Sequence, residues 1–123
     1  MDRQGVLSAI GRTPLIPLTK LAPGGGARIF LKWEGANPTG SMKDRMALAM
    51  IERARASGRL APGQAIVEYS GGSTGSSLAM IGAALGHPVH IVAYDVVAEE
   101  KIRMMRALGA VVEIGRASCR ERV

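Results

Sequence analysis

Helix-like and strand-like segments alternate along the chain from Ser41 onward. Apolar residues recur at helical spacing from Ser41 to Ser57, and Gly58 follows as a stop signal. The later segments predict strands at 65–69, 89–94 and 110–113 and helices at 76–85 and 98–108. Strands that are separated by helices usually pair in parallel. The alternation therefore predicts an α/β fold in which a parallel twisted sheet has helices on both faces.

The N-terminal part of the chain carries weaker patterns. Val6 to Ile10 is a short apolar segment that predicts a single helical turn. Leu15 to Leu18 is extended and contains Pro17, which favours the edge of a sheet. Arg28 to Glu34 alternates between apolar and polar residues, as a strand does. Because a glycine-rich turn at 23–26 separates the two extended segments, we predict that they pair like a hairpin.

Length and composition restrict the class of protein. The chain has 123 residues, of which 47% are hydrophobic, which suits one modest domain with a packed core. The net charge is +6, but no cluster of Lys and Arg is interleaved with aromatic residues, so nucleic-acid binding has little support. No apolar run reaches the length of a membrane span, and the first residues lack a signal-peptide pattern. We therefore expect a cytoplasmic protein that binds no membrane.

Residues 114–123 resemble the translation of a sequencing adapter. We predict that they are an artefact that replaced the natural continuation, because the preceding Gly109 to Glu113 has the pattern of an interrupted strand. The alternative is a genuine basic tail exposed to solvent. Without this segment the net charge falls from +6 to +4, since it contains three arginines and one glutamate. The only cysteine, Cys119, is also lost, so a thiol nucleophile has no support.

The segment from Asn37 to Arg45 passes through a Pro- and Gly-containing turn into the first long helix. Ser41 is the predicted N-cap, and Ser41 and Asp44 have the spacing of a capping box. Lys43 then lies in the first helical turn, where a dipole of roughly +0.5 charge disfavours an ammonium group. A free amine forms an imine with a carbonyl compound, so Lys43 is a candidate covalent anchor for an aldehyde. The alternative is a solvated lysine whose stem covers apolar surface.

A second segment with possible chemistry is the glycine-rich bend from Ser70 to Gly75, between a strand and a helix. This arrangement directs backbone N–H groups and a helix dipole at one point, as in sites for phosphate or carboxylate. The bend is also close to G-x-G-x-x-G, and Asp95 follows the next strand, so an NAD-binding oxidoreductase domain is a second interpretation. Two further alternatives are a non-catalytic anion-binding module and ordinary N-capping by Ser70, Ser73 and Thr74.

The remaining titratable residues suggest no further site. His87 and His90 are the only histidines, and no third ligand accompanies them at metal-binding spacing, so we predict no metal site. Asp95, Glu99 and Glu100 have the pattern of a solvated loop and an acidic first helical turn rather than of a catalytic pair.

Three ordered segments resemble a known family. They are Gly11-Arg12-Thr13-Pro14-Leu15, Ile29-Phe30-Leu31-Lys32-Trp33-Glu34 and Asn37-Pro38-Thr39-Gly40-Ser41-Met42-Lys43-Asp44-Arg45. Together they resemble the pyridoxal-phosphate enzymes of the cysteine synthase family, which are fold type II enzymes like the tryptophan synthase beta subunit. The similarity runs from Ile10 to Gly109. It implies that Lys43 is catalytic and holds pyridoxal 5'-phosphate as an internal imine.

The resemblance extends to the bend. The family usually has Thr-Ser-Gly-Asn-Thr-Gly there, which binds the substrate α-carboxylate and, through its Asn, the 3-oxygen of the cofactor. By resemblance, the substrate is bound here by Ser70, Gly71, Gly72, Ser73 and Thr74. Ser73 takes the Asn position and can still donate one hydrogen bond to the cofactor, although its side chain is shorter. Gly71 replaces a serine, so the substrate preference and the electronic tuning of the cofactor are open.

The activity implied by this resemblance is β-replacement on a serine-derived amino acid, in which O-acetylserine and sulfide give cysteine. Serine or threonine dehydratase and cystathionine beta-synthase-like activities are alternatives. The resemblance also implies an N-terminal fragment of a two-domain enzyme that is a homodimer at full length. Residues 1–36 would belong to the larger domain and residues 37–113 would form a small domain. The cofactor's phosphate loop and the partner of its pyridine nitrogen would lie outside this chain, so we predict that the fragment alone is inactive.

Overall fold

The order of elements follows the predicted alternation. The computed structural model describes residues 4–21 and 24–115. The N-terminal part contains a 3-10 helix at Gly5–Ala9, strands β1 (Leu15–Pro17) and β2 (Phe30–Lys32), and a 3-10 turn at Glu34–Ala36. The rest contains α1 (Lys43–Ala56), β3 (Ile66–Tyr69), α2 (Ser73–Leu85), β4 (Val89–Tyr94), α3 (Glu99–Ala107) and β5 (Val111–Gly115).

Strands β3, β4 and β5 form a parallel sheet in that order. Ile66 of β3 lies opposite Val89 of β4, and His90 of β4 lies opposite Val111 of β5. Each neighbouring pair of strands is connected by one helix, either α2 or α3, as parallel strands require. The predicted α/β fold with a parallel sheet is confirmed.

Helices α2 and α3 cover one face of this sheet. Val89, Ile91 and Ala93 of β4 are buried, whereas the residues between them are half-buried. Helix α2 passes so close to β4 that a Cβ atom at Gly82 would lie 2.3 Å from Cγ2 of Val89. Helices α2 and α3 also contact each other, as two helices on the same side of a sheet do. For the opposite face, helices remain a prediction.

The hydrophobic core lies between the sheet and the helices. Its fully buried side chains include Leu48 of α1, Ile81 of α2, Ile91 of β4 and Met105 of α3. Helix α1 packs against α2, so the core continues from the sheet through α2 to α1. Burial of each such side chain stabilises the fold by about 2 kcal/mol relative to its exposure. This packing places the first turns of α1 and α2 side by side.

The N-terminal strands form a separate hairpin. Ile16 of β1 lies opposite Leu31 of β2 in an antiparallel pair, so the predicted pairing is confirmed. Strand β2 is shorter than the predicted strand from Arg28 to Glu34, because the backbone enters the 3-10 turn at Glu34. Both strands are largely exposed. The hairpin therefore contributes little to the core, and its importance is that it carries polar side chains to the start of α1.

Several element boundaries differ from the prediction, and two of them affect the bend and the C-terminal segment. Helix α2 begins at Ser73 rather than at Ser76, and β5 continues through Gly115 rather than ending at Glu113. The first two residues of the predicted artefact segment therefore pair with β4. The rest of that segment, residues 116–123 with Cys119, lies outside the described residues. In the described part of the chain, every helix is too short or too polar to cross a bilayer.

Candidate active site

Lys43 is the first residue of α1, and its side chain is half-buried. Its predicted position in the first helical turn is confirmed. The hydroxyl oxygen of Ser41 accepts a hydrogen bond from the backbone N–H of Lys43 at 3.1 Å. The predicted capping box is wrong, because Met42 is the residue that flanks the helix and the Asp44 carboxylate bonds to Thr39 instead of Ser41. The turn is thus closed by contacts outside the helix.

Asp44 connects the lysine turn to α2. Its fully buried carboxyl group accepts hydrogen bonds from the backbone N–H of Thr39 at 2.9 Å and from the Thr39 hydroxyl at 2.5 Å. The same group accepts a hydrogen bond from the hydroxyl of Ser77 at 2.5 Å. Ser77 lies one helical turn after Ser73, the first residue of α2. Asp44 therefore holds the helix start that carries Lys43 beside the helix start that carries the bend.

Lys43 lines a cleft of about 590 Å³. The lining comes from the N-terminal segment, β2 and the start of α1: Arg12, Lys32, Glu34, Met42, Lys43, Arg45 and Met46. Cationic side chains outnumber the single anionic one, so the cleft favours an anionic ligand. None of the bend residues lines this cleft. Lys43 and the bend are thus neighbours through adjacent helix starts rather than walls of one enclosed cavity.

The three segments that carry the resemblance meet in one polar cluster. Glu34 accepts hydrogen bonds from Nε of Arg45 at 2.8 Å and from the hydroxyl of Thr13 at 2.5 Å. Asn37 donates to Glu34, and its side-chain oxygen accepts from the backbone N–H of Gly11 at 2.9 Å. The sequence patterns gave none of these side chains a role, because the contacts join residues far apart in the chain. The cluster fixes the lysine turn against the N-terminal hairpin.

The hydrogen bonds from Arg45 and then Thr13 lower the pKa of Glu34 from 4.5 to about 2. A depressed carboxyl pKa stabilises the fold above the unfolded-state value, and that stabilisation is lost as the pH falls through the folded-state value. We therefore expect the wild type to have a higher thermal midpoint than Glu34→Gln, by a constant amount above about pH 5. This difference should shrink as the pH falls from 4.5 to 2. Thermal scans monitored by circular dichroism measure this.

The matched control for Glu34 is Glu99→Gln. Glu99 forms an exposed ion pair with Arg103, and such pairs contribute about 0–1 kcal/mol. We expect the control to keep the thermal midpoint of the wild type at neutral pH. A difference between wild type and Glu34→Gln that is the same at pH 6 and pH 2 would contradict the assignment of Glu34 to the cluster.

The bend from Ser70 to Gly75 has both occupied and open donors. The buried hydroxyl oxygen of Ser70 accepts hydrogen bonds from the backbone N–H groups of Gly75 at 2.9 Å and Gly72 at 3.3 Å. Ser70 thus caps α2 from within the bend. In the described part of the chain, the backbone N–H groups and hydroxyls of Ser73 and Thr74 have no partner, and both residues are half-buried. These donors at a helix N-terminus suit a carboxylate or phosphate.

Gly71 lies against the side chain that ends β4. A Cβ atom at Gly71 would lie 2.4 Å from the hydroxyl oxygen of Tyr94, the last residue of β4. The space that the family's usual serine side chain would fill is therefore taken by a tyrosine ring. The sequence patterns missed Tyr94, and only the register of β3 against β4 places it beside the bend.

Neither histidine lines the cleft of Lys43. Nδ1 of the buried His87 is 2.9 Å from the carbonyl oxygen of Gln64, while Nε2 has no partner among the described residues. Asp95 is exposed after β4. Within residues 4–21 and 24–115, no three His, Cys, Asp or Glu side chains are grouped as a metal site would need.

A family model described as "Pyridoxal-phosphate dependent enzyme" matches residues 6–122. The chain belongs to this family. The match favours the pyridoxal-phosphate interpretation of the lysine turn and the bend over a nicotinamide-dependent domain, which would leave Lys43 without a role.

Curated relatives point to the same branch of the family. Cysteine synthase B of Escherichia coli is 44% identical over 101 residues, which cover 82% of this chain and 33% of that protein. A probable cysteine synthase of Bacillus subtilis is 45% identical over 103 residues, covering 84% of this chain and 33% of the relative. Cystathionine beta-synthase of Saccharomyces cerevisiae is 42% identical over 112 residues, covering 89% of this chain and 22% of that protein. The chain thus spans about a third of the length of the cysteine synthases it matches.

Solved structures share the fold. An O-ureido-L-serine synthase superposes with a TM-score of 0.87 at 37% identity, covering 94% of this chain and 36% of that one. Cysteine synthase from Entamoeba histolytica superposes with a TM-score of 0.86 at 34% identity, covering 94% of this chain and 36% of that one. The predicted family and the fold type II architecture are confirmed.

The residues present are compatible with the family's cofactor. Pyridoxal phosphate carries an aldehyde and a dianionic phosphate, and the cleft offers the amine of Lys43 among a surplus of cations. The open donors of Ser73 lie at the adjacent helix start, where the resemblance puts a contact to the 3-oxygen of the cofactor. Lys43 and Ser73 are therefore the residues of this chain that would hold the group.

Proposed function

We propose that this chain is part of a pyridoxal-phosphate enzyme that performs β-replacement on a serine-derived amino acid, as a cysteine synthase does with O-acetylserine and sulfide. One observation carries the proposal: buried Asp44 holds the helix start that bears Lys43 beside a second helix start, where the N–H groups of Ser73 and Thr74 have no partner among the described residues. One helix start supplies an amine for the cofactor, and the other supplies donors for the substrate carboxylate.

Lys43 has two tasks in this proposal. Its Nζ atom would hold the cofactor at its aldehyde group, and the bound cofactor would supply an electron sink that stabilises negative charge at the substrate Cα atom. The same Nζ atom would also serve as the base that accepts the α-proton of the substrate. Both tasks need Nζ of Lys43 close to the point where the cofactor's aldehyde carbon and the substrate Cα atom would meet. The half-buried position of Lys43 at the edge of a cleft suits this requirement.

The bend orients the substrate. The N–H groups of Ser73 and Thr74 donate to the α-carboxylate, and the helix dipole of α2 favours the negative charge there. Gly71 and Gly72 keep the backbone accessible because they carry no side chains. Ser70 acts indirectly, because its hydroxyl oxygen is engaged by the N–H of Gly75 and fixes the conformation of the bend.

The names of the relatives support the substrate class. Cysteine, cystathionine and O-ureido-L-serine are all alanine skeletons with a sulfur or oxygen atom on Cβ. A site that serves such reactions binds a small amino acid with a leaving group on Cβ and exchanges that group for a nucleophile. Sulfide is the nucleophile we propose, and the match to a cystathionine beta-synthase makes a thiol amino acid the second candidate.

The test uses the protein encoded by the complete reading frame of this chain. After incubation with pyridoxal phosphate, we expect a yellow protein that forms cysteine from O-acetylserine and sulfide. Serine with homocysteine, and serine alone, are assayed in parallel for cystathionine and for a 2-oxo acid. A colourless protein would refute the proposal, and product in only a parallel assay would replace cysteine synthesis by that activity. Cysteine formation by the 123-residue chain alone would contradict its predicted inactivity.

The proposal extends to organisation. Residues 1–36 belong to the larger domain and residues 37–113 to the smaller one, and the complete enzyme is a cytoplasmic homodimer. The hairpin's separation from the parallel sheet supports the division into domains. Gel filtration of the complete protein tests the dimer.

A further inference from the structure

Tyr94 and Gly71 fit each other closely. An added Cβ atom at Gly71 would lie 2.4 Å from both Cε1 and the hydroxyl oxygen of Tyr94, and 2.5 Å from Cζ. No side chain fits at position 71 while the tyrosine ring stays in place. The end of the ring, with its hydroxyl group, therefore lies against the backbone of the bend.

The hydroxyl group of Tyr94 is available for a ligand. It has no hydrogen-bond partner among the described residues, and the side chain is half-buried. Its ring lies 6.1 Å from the ring of Tyr69, centroid to centroid, so an aromatic neighbour fixes its orientation. A tyrosine hydroxyl usually finds a hydrogen-bond partner when it is buried. Within residues 4–21 and 24–115, no group supplies one for Tyr94.

The position of Tyr94 is also that of a ligand-binding residue. It ends β4, the strand paired with β3, and β3 leads directly into the bend. In open parallel sheets, ligands bind in the crevice beyond the carboxyl ends of the strands. Tyr94 and the open N–H groups of Ser73 and Thr74 lie at that same edge.

We propose that Tyr94 is a substrate-binding residue that determines specificity: its hydroxyl group donates to the α-carboxylate of a small amino acid bound at the bend. It replaces a donor on the bend itself, since Gly71 carries no side chain. The ring also limits the space beside the carboxylate, which favours substrates without bulk at that point. This inference rests on the proposed function for the nature of the carboxylate.

The test measures binding without the cofactor. Isotope-labelled protein from the complete reading frame is titrated with L-serine, and the amide signals of Gly72 and Ser73 are followed by NMR. We expect Tyr94→Phe to keep the thermal midpoint, because the ring remains, and to weaken binding about tenfold through the loss of one hydrogen bond to a charged group. The control Tyr69→Phe, which alters the neighbouring ring, should bind like the wild type. Equal affinities of Tyr94→Phe and the wild type, or no binding by the wild type, would overturn the proposal.

A second pair of variants separates hydrogen bonding from packing. Tyr94→Ala removes the ring and opens space at position 71, so Gly71→Ser can then be accommodated. We expect Tyr94→Ala to bind L-serine weakly and the double variant Gly71→Ser/Tyr94→Ala to recover to within about threefold of the wild type, because the new hydroxyl supplies the donor. If the double variant binds L-serine no more tightly than Tyr94→Ala, a hydroxyl at position 71 does not replace that of Tyr94, and the proposal is contradicted. A different result would refute the proposed function, namely a complete protein that stays colourless with pyridoxal phosphate.

Discussion

Replacing Lys43 by alanine in the complete protein is expected to abolish the yellow colour that develops with pyridoxal phosphate and to lower the rate of cysteine formation by on the order of 10³-fold or more. The variant loses the covalent bond to the cofactor and the base for the α-proton together. Lys43 is only half-buried, and no hydrogen bond from its amine to another described residue supports the fold, so the truncated protein should remain folded. Absorbance spectra and steady-state rates measure the two losses.

Lys101→Ala is the matched control for this variant. Lys101 lies in α3 and is also half-buried, but it does not line the cleft of Lys43. We expect it to keep the colour and the rate of the wild type. A Lys43→Ala protein that binds the cofactor with undiminished colour would show that another amine is the anchor, and the assignment of the lysine turn would be wrong.

The fold was largely accessible from the sequence because its periodic segments are unambiguous. Helix α1 has a continuous apolar stripe that buries Leu48 and Ile51, and β4 alternates strictly between buried and half-buried residues. Such patterns reflect burial of one side of a helix or strand, so they can be recognised in the sequence without knowledge of tertiary contacts. The start of α2 was placed too late because Ser73 to Gly75 are small residues without an apolar stripe.

The connections within the site were less accessible. The rule for a capping box pairs Asp44 with Ser41, which is three residues away, but the protein pairs it with Ser77 on another helix. A tertiary partner of this kind leaves no mark in local spacing. The contact of Tyr94 with Gly71 depends likewise on the register of two strands. Sequence patterns and family resemblance thus predict roles for the lysine and the bend, but they do not indicate the side chains that bring the two together.

Asp44→Ala should be the most destabilising single change near the site. The side chain is fully buried, and three donors converge on it: the N–H and hydroxyl of Thr39 and the hydroxyl of Ser77. Removing the acceptor takes away the partner of both Thr39 donors, whereas the hydroxyl of Ser77 can still donate to the carbonyl oxygen of Ser73 at 2.9 Å. We expect the free energy of unfolding to fall by about 3 kcal/mol or more. Urea titration of the complete protein measures the loss, and Asp95→Ala, at an exposed acid, is a control that should change little.

Asp44 and Ser77 should also be coupled energetically. Ser77→Ala removes one donor and should lower the free energy of unfolding by about 1 kcal/mol. The double variant Asp44→Ala/Ser77→Ala should lose about 1 kcal/mol less than the sum of the two single changes, because either change alone already removes the hydrogen bond. Strict additivity would show that the two helix starts are not joined through this pair.

The kinetics of Ser77→Ala test whether the bond to Asp44 positions the two helix starts, apart from its effect on stability. Since the bond to Asp44 positions α2 against α1, its loss should allow the bend to shift relative to Lys43 while Lys43 can still bind the cofactor. We therefore expect Ser77→Ala to keep the yellow colour, to raise KM for O-acetylserine and to lower kcat, because misplacement by about 1 Å can cost on the order of 10²-fold in rate. Ser57→Ala is the matched control, since the hydroxyl of Ser57 bonds to the end of α1 and to Arg59, away from the bend. A Ser77→Ala enzyme with the kinetics of that control would mean that the two helix starts keep their positions by packing alone.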